Sequence, residues 1–511
     1  MAIIKFALGL NLVSPVHELI VDQNGFCECS RLQNYIVRDK KIKKVGGTEA
    51  YNSSALPAKP TWLHRTYHKR ADETFTKMLF TFSNGKIYYG TDVNGTFTET
   101  KTGFNVNAIP MHATMQVSEN SIMYIFTGED EVVKYDGNGS YKIDNTTLNA
   151  DLGRTIESAC VHLDRMWYVS KDSSFLAYST NLKPEDLTTD AGDIIVGQET
   201  DSIIRRFIIG AGEQGYVFKN NSIWGLYGRT PSTFEFRKIT DKYGLACKRG
   251  IYSVGGGFVF LNEYDKELYF FAGTESSITP LTEETIRLRN ILDVVQIDNI
   301  DMTVHDGLFR MAFKHKDDSL YQDRELAYPL NDPRPDGLPK WSMIKGSKVS
   351  CYALLQQQSD ANILMSGRSD TGKVMYHNRT HDFDGEAIET WVRSSEIVAS
   401  EDNQVRFRGF YVKGKPGSTQ KTVNFSYYLD ARYSSGYQDN LDTAGELRSV
   451  GSLKLSTQGL FNNRIIPIHS YSKGNSISFE FYDWNLATDL EIYSVAFEVF
   501  KTGKIRNALV G

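Results

Sequence analysis

Seven stretches of this chain share one pattern: an apolar run, a short polar turn, then a second run rich in tyrosine and other apolar residues. They are LFTFSNGKIYYG from Leu79, MYIFTGEDEVVKYDG from Met123, MWYVSKDSSFLAYS from Met166, YVFKNNSIWGLYG from Tyr216, FVFLNEYDKELYFFAG from Phe258, FRMAFKHKDDSLYQDRELAYPL from Phe309 and ILMSGRSDTGKVMYHN from Ile363. Their starts lie roughly 42 to 54 residues apart. A unit of that length suits four short antiparallel strands that bury their faces against the units on either side. The pattern therefore predicts an all-β fold, a β-propeller of six to eight blades, with each stretch forming a hairpin. Ser83-Asn84-Gly85, Asn94-Gly95, Asp136-Gly137 and Lys219-Asn220-Asn221 supply the tight reversals.

The same reading divides the chain in three. Residues 1–60 form an extended N-terminal arm ending in VGGTEAYNSSALPAKP, where Gly, Ser and Pro mark irregular structure. An arm this long is expected to dock somewhere. Residues 61–384 form the propeller, and 385–511 a C-terminal β-domain of sandwich-like type. There the hairpin spacing lapses and longer strands appear: QVRFRGFYVKG, KTVNFSYYLD, SISFEFYDW and LEIYSVAFEVFKTG. Val405 and Phe407 alternate with Arg406 and Arg408, as in a strand wet on one side. ARYSSGYQDNLDTAGELRSVGS reads as a mobile surface loop or a contact to a neighbour, and NDPRPDGLPKW as an exposed connection. Only LTEETIRLRNILDVVQ, from Leu281, has the apolar spacing and leading acids of a short helix.

Composition narrows the class. Of 511 residues, 41% are hydrophobic and 23% charged, an ordinary globular balance with room for a propeller and a further domain. The 28 Tyr and 28 Phe favour pleated surfaces over helices. A net charge of -5, with both signs interspersed, offers no block to neutralise phosphates and argues against sequence-specific nucleic-acid reading. Cys27, Cys29, Cys160, Cys247 and Cys351 are odd in number and scattered, which points to reduced thiols rather than a disulfide framework. FALGLNLV near the start makes a poor signal peptide, and no stretch has the length of a membrane span.

Candidate chemistry resolves into turns. GAGEQG, Gly210 to Gly215, matches a dinucleotide-binding pattern, but YVFKNNSIWGLYG follows as a hairpin where a helix would be needed, so a glycine turn is expected. His64 and His68, and His377 and His381, are four residues apart, which along a strand spans about 13 Å at roughly 3.3 Å per residue, too far for one zinc shell. They read as surface or loop histidines. Cys27 and Cys29 lack a second pair and read as ordinary thiols, one buried and one exposed. HDFDGE from His381 and TDVNGT from Thr91 carry fragments of a calcium loop without its distal glutamate, and turn chemistry explains both. SDTGKVMY near Ser369 lacks the spacing and Trp of a sialidase aspartate box, and no WD or kelch signature is present. The Asn-x-Ser/Thr triplets at Asn52 and Asn378 arise by chance in so polar a chain. No catalytic, cofactor-binding or metal-binding residue is assigned, and no cofactor is expected.

Several stretches, taken in order, resemble the tail nozzle or hub proteins of short-tailed bacteriophages, also called packaged-DNA stabilisation proteins. CECSRLQNYIVRDKKIKKVGGTEAYN resembles the family's opening, and DRMWYVSKDSSFLAYSTNLKPEDL the strand, turn and acidic loop that follow. FIIGAGEQGYVFKNNSIWGLYGRTPSTFEFRKITDKYGLACKRGIYSVGGGFVFLNEYDKELYFFAG resembles its central pair of blades, and ELAYPLNDPRPDGLPKWSMI its strand, loop and Trp. The resemblance spans roughly residues 25 to 380. It implies a non-enzymatic virion structural protein, assembled in the host cytoplasm and located in the tail. It further implies a homo-oligomer, commonly a hexamer, forming a ring below portal and adaptor proteins. Such a ring prolongs the DNA channel and anchors fibres, spikes or a plug. A duplex about 20 Å across would pass between subunits rather than down one packed propeller, without sequence-specific grip. The alternative reading is a glycan-binding propeller of a virion appendage using exposed aromatics such as Trp167 and Trp224, although both fit the cores of their blades better. A glycan-cleaving propeller enzyme is a third.

Overall fold

The computed structural model describes residues 2–5, 8–14, 21, 27–69, 75–91, 95–118, 120–137, 141–197, 202–318, 320–356, 362–398, 405–416, 421–429, 446–455, 461–465, 473–474, 476–483 and 490–501. Among them, seven antiparallel blades follow one another around an axis. Their inner strands are Trp62–Lys69, Met111–Val117, Ile156–His162, Ile204–Ile209, Ile251–Val254, Asp301–His305 and Val349–Gln356. Each of the seven sequence stretches supplies the second and third strands of one blade, as Phe75–Ser83 and Lys86–Thr91 do in blade 1. These middle strands are apolar on both faces because both are covered by neighbouring blades. Phe80 and Phe82 of blade 1, for example, share a core with Met123, Ile125 and Tyr135 of blade 2.

The ring is closed by the arm. Blades 1 to 6 take all four strands from consecutive chain, ending for instance with Phe97–Thr102 in blade 1 and Ser342–Lys345 in blade 6. Blade 7 receives its fourth strand, Thr48–Ala50, from the N-terminal arm, antiparallel to Val374–His377 with Ala50 opposite Met375. The inner strand of blade 7 then packs against that of blade 1, and Tyr51 and Leu56 of the arm join the apolar core between them.

Other described strands of the arm are woven into the C-terminal sheets. Ala2–Ile4 pairs with Leu490–Lys501. Cys29–Gln33 pairs with Thr390–Ser394 and meets the outer strand of blade 6 in parallel at Gln33 and Met343. The hairpin of Tyr35–Arg38 and Lys41–Lys44 turns through Asp39 and Lys40, both at positive φ, and joins Leu490–Lys501 with Ile42 opposite Ile492. Two C-terminal sheets result. One holds Leu490–Lys501, Val405–Pro416 and Phe461–Ile465, the other Thr390–Ser394, Ser476–Asp483, Lys421–Leu429 and Glu446–Leu455. Phe479 of one meets Phe497 of the other, ring centroids 5.6 Å apart, as in a sandwich. Their core runs without a break into Val259 and Leu261 of blade 5 and Phe309 and Met311 of blade 6.

Four expectations change. The segment from Leu281 forms no α-helix but two short 3-10 turns, Leu288–Asn290 and Val294–Asn299, because Arg287 at φ 48 and the extended Asp293 interrupt the helical backbone. The proline-rich connection is exposed at Asn331 and at its tip but not throughout: Arg334 is buried and paired with Glu28 of the arm, and Trp341 is fully buried. Cys27 and Cys29 are both buried, so neither is the exposed thiol expected. Of the loop expected over ARYSSGYQDNLDTAGELRSVGS, residues 431–445 lie outside the described ones, and 446–452 are not loop but belong to the strand Glu446–Leu455, paired with Lys421–Leu429.

Candidate functional site

The inner strands begin at one end of the axis, and that end gathers charge from many blades. Lys248, just before the inner strand of blade 5, places Nζ 3.3 Å from Glu157 Oε1 of blade 3. The adjacent Arg249 donates from Nη1 to the Thr61 carbonyl of blade 1 at 3.0 Å and lies 3.7 Å from Asp301 of blade 6. Neighbouring side chains of one loop therefore reach blades on different sides of the ring. Arg249 thus reaches from blade 5 across to blade 1, and Lys248 reaches over blade 4 to blade 3, so that side chains span the axial opening at this end.

A repeated backbone device aims residues at this mouth. The pairing of inner strand with second strand shifts register between Ile156 and Ser158 in blade 3, Ile204 and Arg206 in blade 4, and Val349 and Cys351 in blade 7. Such bulges leave one residue unpaired and re-aim the side chains around it. The residues set free are Glu157, Arg205 and Ser350. Ser350 donates to the Pro60 carbonyl at 2.5 Å, linking blade 7 to the segment that enters blade 1.

The electrostatics are crowded with cations. Burial pulls the Arg206 guanidinium down from its ordinary range, against the opposing pull of Cys160 and Glu157. Lys248 is lowered by burial despite Glu157, and Lys59 is lowered by burial and by the charges of Arg249 and Lys314. Asp301 is raised by burial, with Arg249 opposing. Arg205 Nε, Arg206 Nη1 and Arg249 Nε are shielded from solvent and have no hydrogen-bond partner among the described residues. Cys247, beneath Arg205 and Arg249, is pushed up to about 12, mainly by burial, and Cys351 to about 11 for the same first reason. These thiols are protonated at ordinary pH and are not nucleophiles.

The sequence-predicted features fall as follows. Ala211–Glu213 is a tight turn between two strands of blade 4, so GAGEQG is a glycine turn with Gly212 at φ 69. His64 is not a surface or loop histidine but lies half-buried on a strand, its neighbour being His112 of blade 2 with ring centroids 3.5 Å apart, while the side chain of His68 lies outside the described ones. His112 Nδ1 accepts from Trp62 Nε1 at 3.1 Å, and burial, then Arg206, pushes it down to about 3. His377 is not at the surface. It is buried in blade 7, its Nε2 2.8 Å from Ser366 Oγ, and pushed down to about 3 by burial and then Arg310, whereas His381 is exposed. HDFDGE makes a turn whose Asp384 pairs with Lys373 at 2.7 Å and Arg368 at 3.3 Å. TDVNGT falls largely outside the described residues. Asn52 is buried and bonds to Gly372 and Val374, and Trp167 is fully buried, while Trp224 is half-buried with Lys238 over its ring at 5.5 Å. Sequence reasoning missed the axial cluster. Its best signal was the pair of adjacent cations in RRFII and in CKRG, each at the start of an inner strand.

No family model and no curated relative matches this chain. Among solved structures it is similar to the β-propeller domain of Cps50 (Swd1) from Myceliophteria thermophila, at 9% identity and TM-score 0.39, covering 66% of this chain and all of that one. It is also similar to PorZ, a surface component of the type-IX secretion system of Porphyromonas gingivalis, at 11% identity and TM-score 0.38, covering 73% of this chain and 45% of that one. An exo-β-1,3-galactanase from Phanerochaete chrysosporium aligns at 10% identity and TM-score 0.29 over 90% of this chain and all of that one. The propeller itself is read from the strand order, and these distant likenesses carry nothing about activity.

Proposed function

We propose that the protein is a non-enzymatic structural subunit of a bacteriophage tail nozzle or hub. In this reading several copies, commonly six, form a ring below portal and adaptor that extends the DNA channel and anchors fibres, spikes or a plug. The ordered stretches described above supply the specific role. The observation that carries it is the braid. One arm closes blade 7, lines the outer edge of blade 6 and joins both C-terminal sheets, so propeller and C-terminal sheets share continuous ladders and one core. Pulling any one part loads paired strands in the others, which suits a part of a pressurised assembly. The side chains that cross each propeller axis leave a duplex about 20 Å wide no route there, so the channel of such a ring runs between copies.

Negative-stain images of the purified protein, with labelled antibody on particles, test the reading. Rings around an open channel, and label at the tail, are expected. A protein that stays monomeric and never enters particles would overturn it.

A further inference from the structure

We infer that the axial mouth is a binding site for a small phosphate-type oxyanion, held by Arg205 and Arg206. The inference is independent of ring formation. Its geometry is the bulge at Arg205, which breaks the alternation that would send two successive side chains to opposite faces. Both arginines thereby sit at the start of the same inner strand, and Arg205 Nε and Arg206 Nη1 are shielded from solvent with no hydrogen-bond partner among the described residues. The charge of Arg206 is felt by His112 two blades back and Cys160 one blade back, and that of Arg205 by Cys247 one blade on. Their charges thus reach residues of blades 2, 3 and 5 around this end of the axis. Lys248, Arg249 and Lys59 add positive charge around them, and Glu157, Asp298 and Asp301 supply the negative charge facing the same space.

A shielded guanidinium nitrogen with no partner is costly, since its lost hydration is not repaid by a hydrogen bond. A dianion with several acceptor oxygens meets two forks at once, which a chloride ion or a lone carboxylate does not. Glu157 is the built-in rival. It lies beside Lys248 and its charge opposes the lowering of Arg206, so it partly neutralises the site until an oxyanion enters. Lys248 and Arg249, crossing the axis, set the size limit and exclude a nucleic-acid duplex.

Isothermal titration of the full chain with inorganic phosphate, at ionic strength held constant with sodium chloride, tests this. One saturable phosphate per chain is expected. The Arg205→Gln/Arg206→Gln variant should lose it while keeping its β-rich circular dichroism and a thermal midpoint, in phosphate-free buffer, no lower than that of the parent. Glu157→Gln should tighten binding, because it removes the competing carboxylate. Phosphorus-31 line broadening on the unaltered protein, with a short DNA duplex as competitor, gives a reading that needs no variant: broadening that the duplex does not relieve is expected. Thermal stabilisation by phosphate no greater than by chloride, undiminished binding in the double variant, no tightening in Glu157→Gln, or relief by the duplex would each overturn the inference.

Discussion

The joints between blades 4 and 5 and between blades 6 and 7 do the same geometric job by opposite means. Between blades 4 and 5, Phe218 sits among Phe258, Phe260 and Phe271, with ring centroids 5.5 to 6.0 Å away, and Tyr216 packs edge-on against Phe258 and Phe271. Between blades 6 and 7 the apolar core shrinks to Ala312, Val349, Tyr352 and Leu364. An ion pair fills the gap: Arg310 Nη1 lies 3.1 Å from Glu325 Oε2, which also accepts from the Tyr352 hydroxyl at 2.6 Å. Burial alone would raise the Glu325 carboxyl, but Arg310 and the hydrogen bonds outweigh it and hold it below its ordinary value. The aromatic joint gains from area and is tolerant of direction. The polar joint gains little net energy but accepts one arrangement, and it lies beside the blade that the arm must complete. Where the ring is closed by a strand from far away in sequence, a directional contact specifies how the last blade seats.

This contrast can be broken by substitution. Phe218→Ala removes a fully buried ring from the aromatic joint and should cost about 3–5 kcal/mol. Chemical denaturation checks it, and a loss below about 1 kcal/mol would mean that the joint collapses around the gap. At the polar joint, Glu325→Gln leaves Arg310 charged and unpaired and should cost about 3 kcal/mol. Replacing the whole group, as Arg310→Met/Glu325→Met/Tyr352→Phe, should return stability to the parent level or above, because no buried charge remains. If the triple variant is as unstable as the single one, the ion pair is a net source of stability and the comparison fails.

Acid sharpens the difference, because only one of these joints titrates. His377, beside the polar joint, and His112, at the axial mouth, are held at about 3 against 6.5 when unfolded. For an imidazole lowered on folding, the unfolded chain binds more protons between those values. Stability is then complete above about pH 6.5 and falls as the pH drops toward 3. At pH 5 each imidazole should withdraw about 2 kcal/mol. Denaturation midpoints measured from pH 7.5 to 5 check this, and His112→Asn with His377→Gln should flatten the slope. An unchanged slope would place the acid sensitivity elsewhere.

Much of this fold was legible because the middle hairpin of every blade is covered on both faces and closed by a short turn. That writes a dense apolar signature such as LFTFSNGKIYYG directly into the sequence. The strand that closes the ring was not legible. Thr48-Glu49-Ala50 is three residues with no apolar run, and its partner Val374–His377 lies at the far end of the propeller. The helix expected after Leu281 failed because its apolar spacing serves a winding connection that fills the core beneath blades 5 and 6, where Ile286, Leu288 and Ile291 are buried. The axial cluster was invisible for a related reason. Its cations come singly or in pairs from several blades, and only the ring brings Arg206 near His112 or Lys248 near Glu157.

A density map of the assembled oligomer, read at the propeller axes, tests the central claim most directly. The account predicts side-chain density crossing each axis at Lys248 and Arg249, and a duplex-wide passage lying between neighbouring copies. An open, duplex-wide bore along the axis of a single propeller, or particles in which no copies associate, would contradict it.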